Sequence, residues 1–218
     1  MKQKTQEQCA YCGKIGKMTI EHVIPQCLFT KPLPLDIVKV PACEQCNNAK
    51  SADDSYLRDY LVTDASASEH KTARKIFTTK VLSSVRKNKS DLWRSFAPSA
   101  HLSLVHCRGG ISLLYAGNLD GERIERALYR IVRGLYYRIF QQHIPENCNY
   151  SLTRWSPQEF NEFLPLLHKF GFNGPYGCGD AFKCIMQFAD KSPFTTAWWL
   201  FFYDSICLHV LTEHKESE

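Results

Sequence analysis

Cys9-Ala-Tyr-Cys12 opens the most informative region of the chain, and Val-Pro-Ala-Cys43-Glu-Gln-Cys46 closes it. Each stretch contains a Cys-x2-Cys pair, a spacing that lets one tight turn present two sulfurs to a metal. Gly13 completes the first of these turns. Zinc prefers four thiolates in a tetrahedron, so the two pairs predict one structural Zn²⁺ held by Cys9, Cys12, Cys43 and Cys46. Binding of that ion would order the polar segment between the pairs.

The composition limits the class of protein. Of 218 residues, 44% are apolar and 22% are charged, which favours a packed core over disorder. No apolar run reaches the ~18 residues of a membrane span, and the start MKQKTQEQCAYC has no apolar stretch typical of a secretory signal. We therefore expect a soluble, cytoplasmic protein with no membrane partner. The cysteines outside the two pairs are predicted to be buried free thiols: Cys27, Cys107, Cys148, Cys178, Cys184 and Cys207.

Positive charge is concentrated in one segment. The formal net charge is +5, yet residues 67–94 alone carry eight Lys or Arg against Glu69 and Asp91. Such a segment attracts polyanions, of which nucleic acid is the expected one, and a solvated lysine-rich helix is the alternative. The candidate phosphate-contacting residues are six of these eight basic residues and one earlier lysine: Lys71, Arg74, Lys75, Lys80, Arg86, Lys87 and Lys50.

The residues between and after the cysteine pairs carry a family resemblance. Glu21-His22-Val-Ile-Pro25 lies between the pairs, and Asn47-Asn-Ala-Lys50 follows the last cysteine. Over residues 9–62 this arrangement resembles the zinc-containing HNH endonucleases. The resemblance implies the ββα-metal fold, in which a hairpin and a helix surround one catalytic divalent ion. It also implies hydrolysis of phosphodiester bonds in nucleic acid.

The resemblance assigns a role to each matching residue. His22 matches the general base, and an imidazole suits that role because its pKa lies near neutrality. Glu21 matches the acidic ligand of the catalytic ion, and Asn47 matches the second ligand, supplied from the start of the helix. That ion would be Mg²⁺ or Mn²⁺, whereas the zinc would be structural. Asp36 falls at the middle Asn position of the family, whose residue braces the loop that carries the base.

Two of these positions depart from the family pattern. The acid beside the histidine is usually Asp, and Glu21 is one methylene longer. Asp36 can accept hydrogen bonds but cannot donate those of an amide.

Three segments are predicted, with the fold class α+β overall. Residues 1–64 form the zinc-binding HNH module with its ββα-metal fold, and residues 65–100 form a basic helical connector. Residues 101–218 form an α+β domain with antiparallel strands and no assigned role. A polar stretch at 63–68 and a loop at 95–99 mark the two boundaries.

Local patterns predict elements within the later segments. A β-hairpin is expected around the turn Arg108-Gly-Gly110, and aromatic-rich strands are expected between 182 and 213. The glycine-rich stretch 172–180 lacks the Gly-Lys-Ser/Thr signature of a phosphate-binding loop and is predicted to be a loop. Residues 120–142 have apolar residues at spacings of three and four, which predicts a helix.

The helix predicted at 120–142 also carries an arginine stripe. Arg123, Arg126, Arg130 and Arg133 fall together on the side opposite its apolar residues. The stripe predicts either phosphate contacts or a solvated face, since Glu122 and Glu125 flank it.

Taken together, the patterns favour a metal-dependent endonuclease that acts on DNA. Two alternatives stay open. One is a zinc-ribbon protein that binds nucleic acid through an HNH site that has lost activity, and the other is an HNH nuclease that acts on RNA. Phosphate contacts carry little information about the identity of the nucleic acid, so the sequence favours neither polymer strongly. A homodimer is compatible with the sequence.

Overall fold

Helices and antiparallel strands alternate along the chain in the computed structural model, which describes residues 7–107, 110–189 and 192–214. The predicted α+β class is confirmed at this level. The helices are α1 Glu44–Asn48, α2 Ser51–Thr63, α3 Lys71–Ile76, α4 Leu82–Arg86, α5 Asp91–Phe96, α6 Gly121–Phe140 and α7 Pro157–Phe170. The strands are β1 Glu7–Gln8, β2 Ile15–Gly16, β3 Thr19–His22, β4 Lys39–Ala42, β5 His101–Cys107, β6 Gly110–Ala116, β7 Cys148–Trp155, β8 Asn173–Cys178, β9 Phe182–Ala189, β10 Ser192–Phe202 and β11 Ile206–His214.

The region around the cysteine pairs is a hairpin followed by helices. Strands β3 and β4 pair antiparallel, so that Thr19 lies opposite Ala42 and His22 lies opposite Lys39. Helix α1 begins directly after β4, and α2 follows it after a short break. Because β4 leads straight into α1, the last cysteine pair and the residues after it are held against the hairpin.

The C-terminal half is built on one antiparallel sheet with the strand order β7-β11-β10-β9-β8. Adjacent side chains of β10 point to opposite faces, as the period of a strand requires. Trp198 joins the main core, whereas Trp199 packs with Leu167 of α7 on the other face. The sheet therefore has a core on each side, which explains its aromatic-rich sequence.

Helix α6 connects the two halves. Asp120 caps its first turn by accepting a hydrogen bond from the backbone N–H of Arg123. Its apolar face is buried in the main core, as the spacing predicted. At Gly134 the helix comes so close to the N-terminal region that an added Cβ would lie 2.7 Å from Val23 and 3.1 Å from the Tyr11 hydroxyl. A glycine is therefore required at this crossing.

One hydrophobic core draws residues from all three predicted segments, including Leu57, Ile76, Leu128 and Trp198. The boundaries near residues 64 and 100 stay a prediction. None of the helices in the described ranges combines the length and hydrophobicity that a membrane crossing demands.

Several elements of the structure differ in detail from the predicted ones. The glycine-rich stretch 172–180 is not only a loop, because residues 173–178 form the edge strand β8. Strand β7 was not predicted. The basic connector is helical from α3 through a π-helical turn at Phe77–Val81 into α4. The predicted turn at Arg108 and Gly109 lies outside the described residues, although β5 and β6 pair on either side of it.

Asp64 ties the end of α2 to the C-terminal sheet, and we predict a pH-dependent stability from it. Its carboxylate accepts from the backbone N–H of Ser66 at 2.9 Å and pairs with Arg154 of β7. Burial opposes ionisation, but the hydrogen bonds from Arg154 and Ser66 outweigh it and hold the pKa of Asp64 below its ordinary value. A carboxyl with a depressed pKa stabilises the fold above its unfolded pKa, and this contribution is lost as the pH falls through the folded one.

Asp64→Asn should therefore lower the free energy of unfolding at pH 7 by about 1 kcal/mol, a modest value because Arg154 is partly exposed. The difference from the parent should shrink below about pH 4. Urea unfolding of the parent and of Asp64→Asn at pH 7 and at pH 3 measures the difference in the free energy of unfolding at each pH. The exposed Glu162→Gln is the control. An equal deficit at the two pH values would contradict the assignment.

Candidate functional site

The four paired cysteines form one cluster. Their sulfur atoms all lie within 4.8 Å of one another, and the sulfurs of Cys12 and Cys43 are 3.7 Å apart. A tetrahedral zinc with Zn–S bonds of about 2.3 Å places its sulfurs ~3.8 Å apart. The predicted cluster of Cys9, Cys12, Cys43 and Cys46 is confirmed, and its geometry and donor type fit a structural metal such as zinc.

Local backbone geometry brings the two pairs together. Gly13 adopts a φ of +70° and its N–H donates to the Cys9 carbonyl at 3.0 Å, which closes the first turn. Cys43 lies at the N-cap of α1, and its N–H donates to the Cys9 sulfur at 3.3 Å. The turn and the helix start thus present backbone donors to sulfur, an arrangement that favours thiolate ligands.

The charges of the cluster call for a cation. Burial alone would raise the pKa of Cys9, but N–H groups of Cys43, Cys12 and Tyr11 donate to its sulfur and bring the pKa down to about 7. Burial raises the pKa of Cys46, and the neighbouring Cys43 and Cys9 raise it further. The protein alone thus favours some thiolates and opposes others. A bound divalent ion would remove this opposition by neutralising the shared negative charge.

A surface cleft of about 470 Å³ lies beside the hairpin. It brings together four residues that the sequence singled out, namely Glu21, His22, Asn47 and Lys50. Glu21 and His22 end strand β3, Asn47 lies in α1, and Lys50 directly precedes α2. The cleft is therefore formed where the hairpin meets the two helices.

Lys50 occupies the centre of the cleft. Its ammonium group contacts the carboxylate of Glu21, lies 3.6 Å from that of Asp54, and donates to the His22 carbonyl oxygen at 3.1 Å. Its side chain is only 17% exposed. The phosphate contact expected of Lys50 therefore has to compete with these interactions, because the lysine is paired inside the site rather than free on a helix surface.

Burial controls the charges around Lys50. Burial raises the pKa of Asp54 although Lys50 and Arg130 act in the opposite direction. It likewise lowers the pKa of Lys50 although Asp54 opposes the shift. Glu21 itself is 3% exposed. The cleft thus holds two poorly solvated carboxylates beside one ammonium, and a cation of higher charge would stabilise both carboxylates more strongly.

His22 is held in its neutral form. Burial first, and the charge of Lys39 second, lower the pKa of His22 below its ordinary value. The imidazole is therefore neutral at neutral pH. The side-chain amide nitrogen of Gln26 lies 2.6 Å from Nδ1 of His22. That contact fixes the ring and leaves Nε2 as the nitrogen that faces other partners.

Asn47 occupies a different place in its helix from the one expected. It is the penultimate residue of α1, rather than a residue at a helix start, because a break separates α1 from α2. Its amide nitrogen donates to the hydroxyl of Thr19 at 2.9 Å. This bond uses the nitrogen and leaves the amide oxygen as the atom that could bind a metal.

Asp36 is not brought to the cleft. It is exposed on the segment before β4, and its carboxylate accepts from the backbone N–H of Gly179 at 3.3 Å. It thereby joins the hairpin segment to the β8–β9 turn of the C-terminal sheet. Its hydrogen bonds in the described part of the chain do not reach His22, so the direct bracing contact implied by the family position is not present here.

The sequence reasoning missed two residues of the cleft. Gln26 lies four residues after His22, and Asp54 lies four residues after Lys50. The second spacing was readable, since residues four apart share one face of a helix. The first was not, because Gln26 begins a short 3-10 helix whose direction depends on Pro25.

Six basic residues of the connector, the candidate phosphate contacts, are exposed. Within the ranges that the structure describes, they form no ion pair with a carboxylate. They are Lys71, Arg74, Lys75, Lys80, Arg86 and Lys87.

Comparison of the chain with protein-family models, with curated proteins and with solved structures finds no significant match.

We predict one tightly bound zinc per chain. Cys43→Ser should release it and unfold the region of residues 9–62, because metal binding and folding are coupled in small sites. Cys207→Ala removes a buried thiol outside the cluster and should keep the zinc. Elemental analysis and circular dichroism measure both outcomes. A folded parent protein without metal would overturn the assignment.

The arrangement around Lys50 gives a second prediction. Lys50→Met leaves Glu21 and Asp54 buried without a cation, which should cost about 3 kcal/mol of stability. Added Mg²⁺ should then raise the unfolding temperature of this variant more than that of the parent, because the ion can take the vacated position.

The exposed Lys75→Met removes the same charge on α3 and serves as the control in the same thermal unfolding series. Equal Mg²⁺ responses in Lys50→Met, Lys75→Met and the parent would show that the cleft has no preference for a divalent ion.

Proposed function

We propose that the protein is a metal-dependent endonuclease of the HNH type that hydrolyses phosphodiester bonds in DNA. The observation that carries the proposal is the convergence of Glu21, His22 and Asn47 in one cleft beside the four-cysteine cluster. These are the residues that the resemblance assigns to the metal and to the proton transfer. Strands β3 and β4 with the helices that follow supply the hairpin and helix that such a site requires.

The residues of the cleft suit a catalytic Mg²⁺ or Mn²⁺ by their chemistry. Glu21 and Asp54 offer carboxylate oxygens, and Asn47 offers an amide oxygen, the donor types that hard cations prefer. A Mg²⁺ site commonly uses one or two carboxylates and completes its shell with water and substrate phosphate. When bound, such an ion supplies charge stabilisation at the phosphate and the leaving oxygen.

His22 would take the proton from the attacking water. The water oxygen forms a bond to phosphorus, the bond to the 3′ oxygen breaks, and the water proton passes to Nε2 of His22. For Nε2 to accept it, Nδ1 must carry the ring hydrogen, so Gln26 must present its amide oxygen by a 180° rotation of the amide. The products are a 5′-phosphate and a 3′-hydroxyl, the latter protonated from solvent.

The basic connector would hold the nucleic acid without reading its sequence. Its six candidate residues are exposed and unpaired in the described ranges. Exposed Lys and Arg side chains neutralise phosphates and contribute a salt-dependent affinity. The same contact mode works on DNA and on RNA, so substrate choice is tested with both polymers.

A second candidate function has its own observation. The ammonium of Lys50 lies against Glu21 and Asp54. If that pairing is permanent, no divalent ion binds there, and the protein would be a zinc-containing nucleic-acid-binding protein without catalysis. The two functions predict the same zinc and the same affinity for nucleic acid but differ in cleavage.

The deciding experiment is cleavage of supercoiled plasmid DNA and of single-stranded RNA with added Mg²⁺ or Mn²⁺. His22→Ala should lose about 10²–10⁴-fold in rate while keeping zinc and nucleic-acid affinity, since general-base catalysis is commonly worth that factor. The exposed His101→Ala serves as the control and should cut as the parent does. Chelation by EDTA should abolish cleavage.

Cleavage by His22→Ala at the parent rate would refute the role of the histidine. A zinc-containing, folded parent that binds nucleic acid but leaves both polymers intact would establish the second candidate function.

A further inference from the structure

A second cavity, of about 250 Å³, lies between helix α6 and the cysteine pairs. Its lining is rich in arginine and tyrosine and has few acids: Arg126, Arg130, Arg133, Tyr11, Tyr129 and Tyr150, with Cys12, Cys46 and Glu146. Three guanidinium groups thus face a space whose single lining carboxylate, Glu146, is exposed at the rim. This excess of positive charge favours an anion.

The contacts of each arginine show which of the three guanidinium groups already has a partner in the protein. Arg126 pairs with Asp53 of α2 at 3.1 Å. Arg133 donates to the carbonyl oxygens of Tyr11 and Ile144, the latter at 3.2 Å. Arg130 forms neither an ion pair nor a hydrogen bond with any described residue. Among the described residues, Arg130 is therefore the arginine of the stripe whose charge has no partner.

Two buried donors around the cavity also lack partners. Among the described residues, the hydroxyl of Tyr129 and the Nε of Arg133 have no hydrogen-bond partner although both atoms are buried. Buried polar groups in native proteins are nearly always paired, so such atoms call for an explanation. A ligand with several acceptor oxygens would satisfy both donors and the free guanidinium together.

The cavity is near the candidate cleft. Arg130 acts electrostatically on Lys50 and on Asp54, which line that cleft. A nucleic-acid strand that lies in the cleft could therefore place a neighbouring phosphate at Arg130. The stacked rings of Tyr129 and Tyr150, 4.1 Å apart, would form an aromatic wall beside the adjoining sugar or base.

We infer that this cavity binds a phosphate group of a nucleic-acid strand, with Arg130 as its principal contact and with Tyr129 and Arg133 as hydrogen-bond donors. The inference rests on the proposed function in taking nucleic acid as the ligand, but it needs no cleavage. The rival explanation is that Arg130 only balances the net negative charge of the four thiolates, Cys12, Cys46 and the other two cysteines, around a bound zinc ion.

The test measures binding without turnover. A fluorescent 12-nucleotide DNA strand is titrated into the full-length, zinc-loaded protein in buffer without free divalent ions, over a series of salt concentrations. Arg130→Gln should weaken binding by about tenfold and reduce the salt slope by about 0.7, the value for one phosphate on a single strand. Arg138→Gln, an exposed charge at the end of the same helix, is the matched control and should leave both unchanged.

A second variant guards against a folding defect. Tyr129→Phe removes one hydroxyl and keeps the aromatic ring. It should weaken binding by a smaller factor than Arg130→Gln does, with an unchanged salt slope. Inorganic phosphate tests the source of the ligand. If millimolar phosphate competes with the oligonucleotide in the parent but not in Arg130→Gln, the cavity also accepts free phosphate. If phosphate does not compete while Arg130→Gln still weakens oligonucleotide binding, the site accepts only the phosphate of a strand.

Equal losses in Arg130→Gln and Arg138→Gln would overturn the inference in favour of diffuse attraction. Faster zinc release to a chelator by Arg130→Gln with unchanged oligonucleotide affinity would overturn it in favour of charge balance at the metal. Failure of the nuclease proposal is distinguishable from failure of this inference. The binding assay measures affinity for the strand, which His22→Ala and the parent can share whether or not either one cuts it.

Discussion

The rest of the N-terminal architecture depends on the convergence of the four paired cysteine sulfurs within 4.8 Å of one another. Backbone donors already favour the thiolate of Cys9, whereas burial first, and the nearby Cys43 and Cys9 second, raise the pKa of Cys46 and oppose its ionisation. A bound divalent metal would resolve that conflict and at the same time close the segment 13–42 into a loop. Everything catalytic in the proposal lies within that loop or directly after it. A metal bound by the cysteines would therefore help to set the position of Glu21 and His22 relative to Asn47.

A second electrostatic conflict lies inside the cleft. Glu21 and Asp54 are buried together, and Lys50 is the cation that makes their burial tolerable. Desolvation still weakens the ionised forms of Asp54 and Lys50. A site of this kind is stable without a divalent ion and responsive to one, because the ion competes with an ammonium for the same oxygens. Of the two proposed functions, the nuclease requires that a divalent ion can displace Lys50 from these carboxylates.

The sequence revealed those features that depend on local spacing. Two Cys-x2-Cys pairs predicted the cluster, since four soft ligands at turn spacing have few other uses. The periodicity of α6 predicted its buried face. The secondary-structure prediction failed where contacts between distant parts of the chain determine the structure. Strand β8 has a glycine-rich sequence typical of a loop and is a strand because β9 pairs with it.

The same distinction applies to the candidate site. Glu21, His22 and Asn47 were identified by a motif, whereas the pairing of Lys50 with Glu21 joins β3 to the start of α2 and could not be read from spacing. Asp36 was assigned by the family pattern, but its carboxylate accepts from the backbone N–H of Gly179, far along the chain. Long-range contacts of this kind are set by the whole core rather than by any local pattern.

The arginine stripe of α6 shows how the core assigns functions to residues that the sequence leaves equivalent. Gly134 lets the helix approach Val23 and Tyr11, and this approach places Arg133 against the backbone carbonyl of Tyr11, beside the four-cysteine cluster. At the other end of the stripe, Asp53 draws in Arg123 and Arg126. Each of these arginines is used to attach α6 to the N-terminal region. Arg130 lies between the two attachments, where the described structure offers it no acceptor, so the fold that neutralises its neighbours leaves its charge available to a ligand.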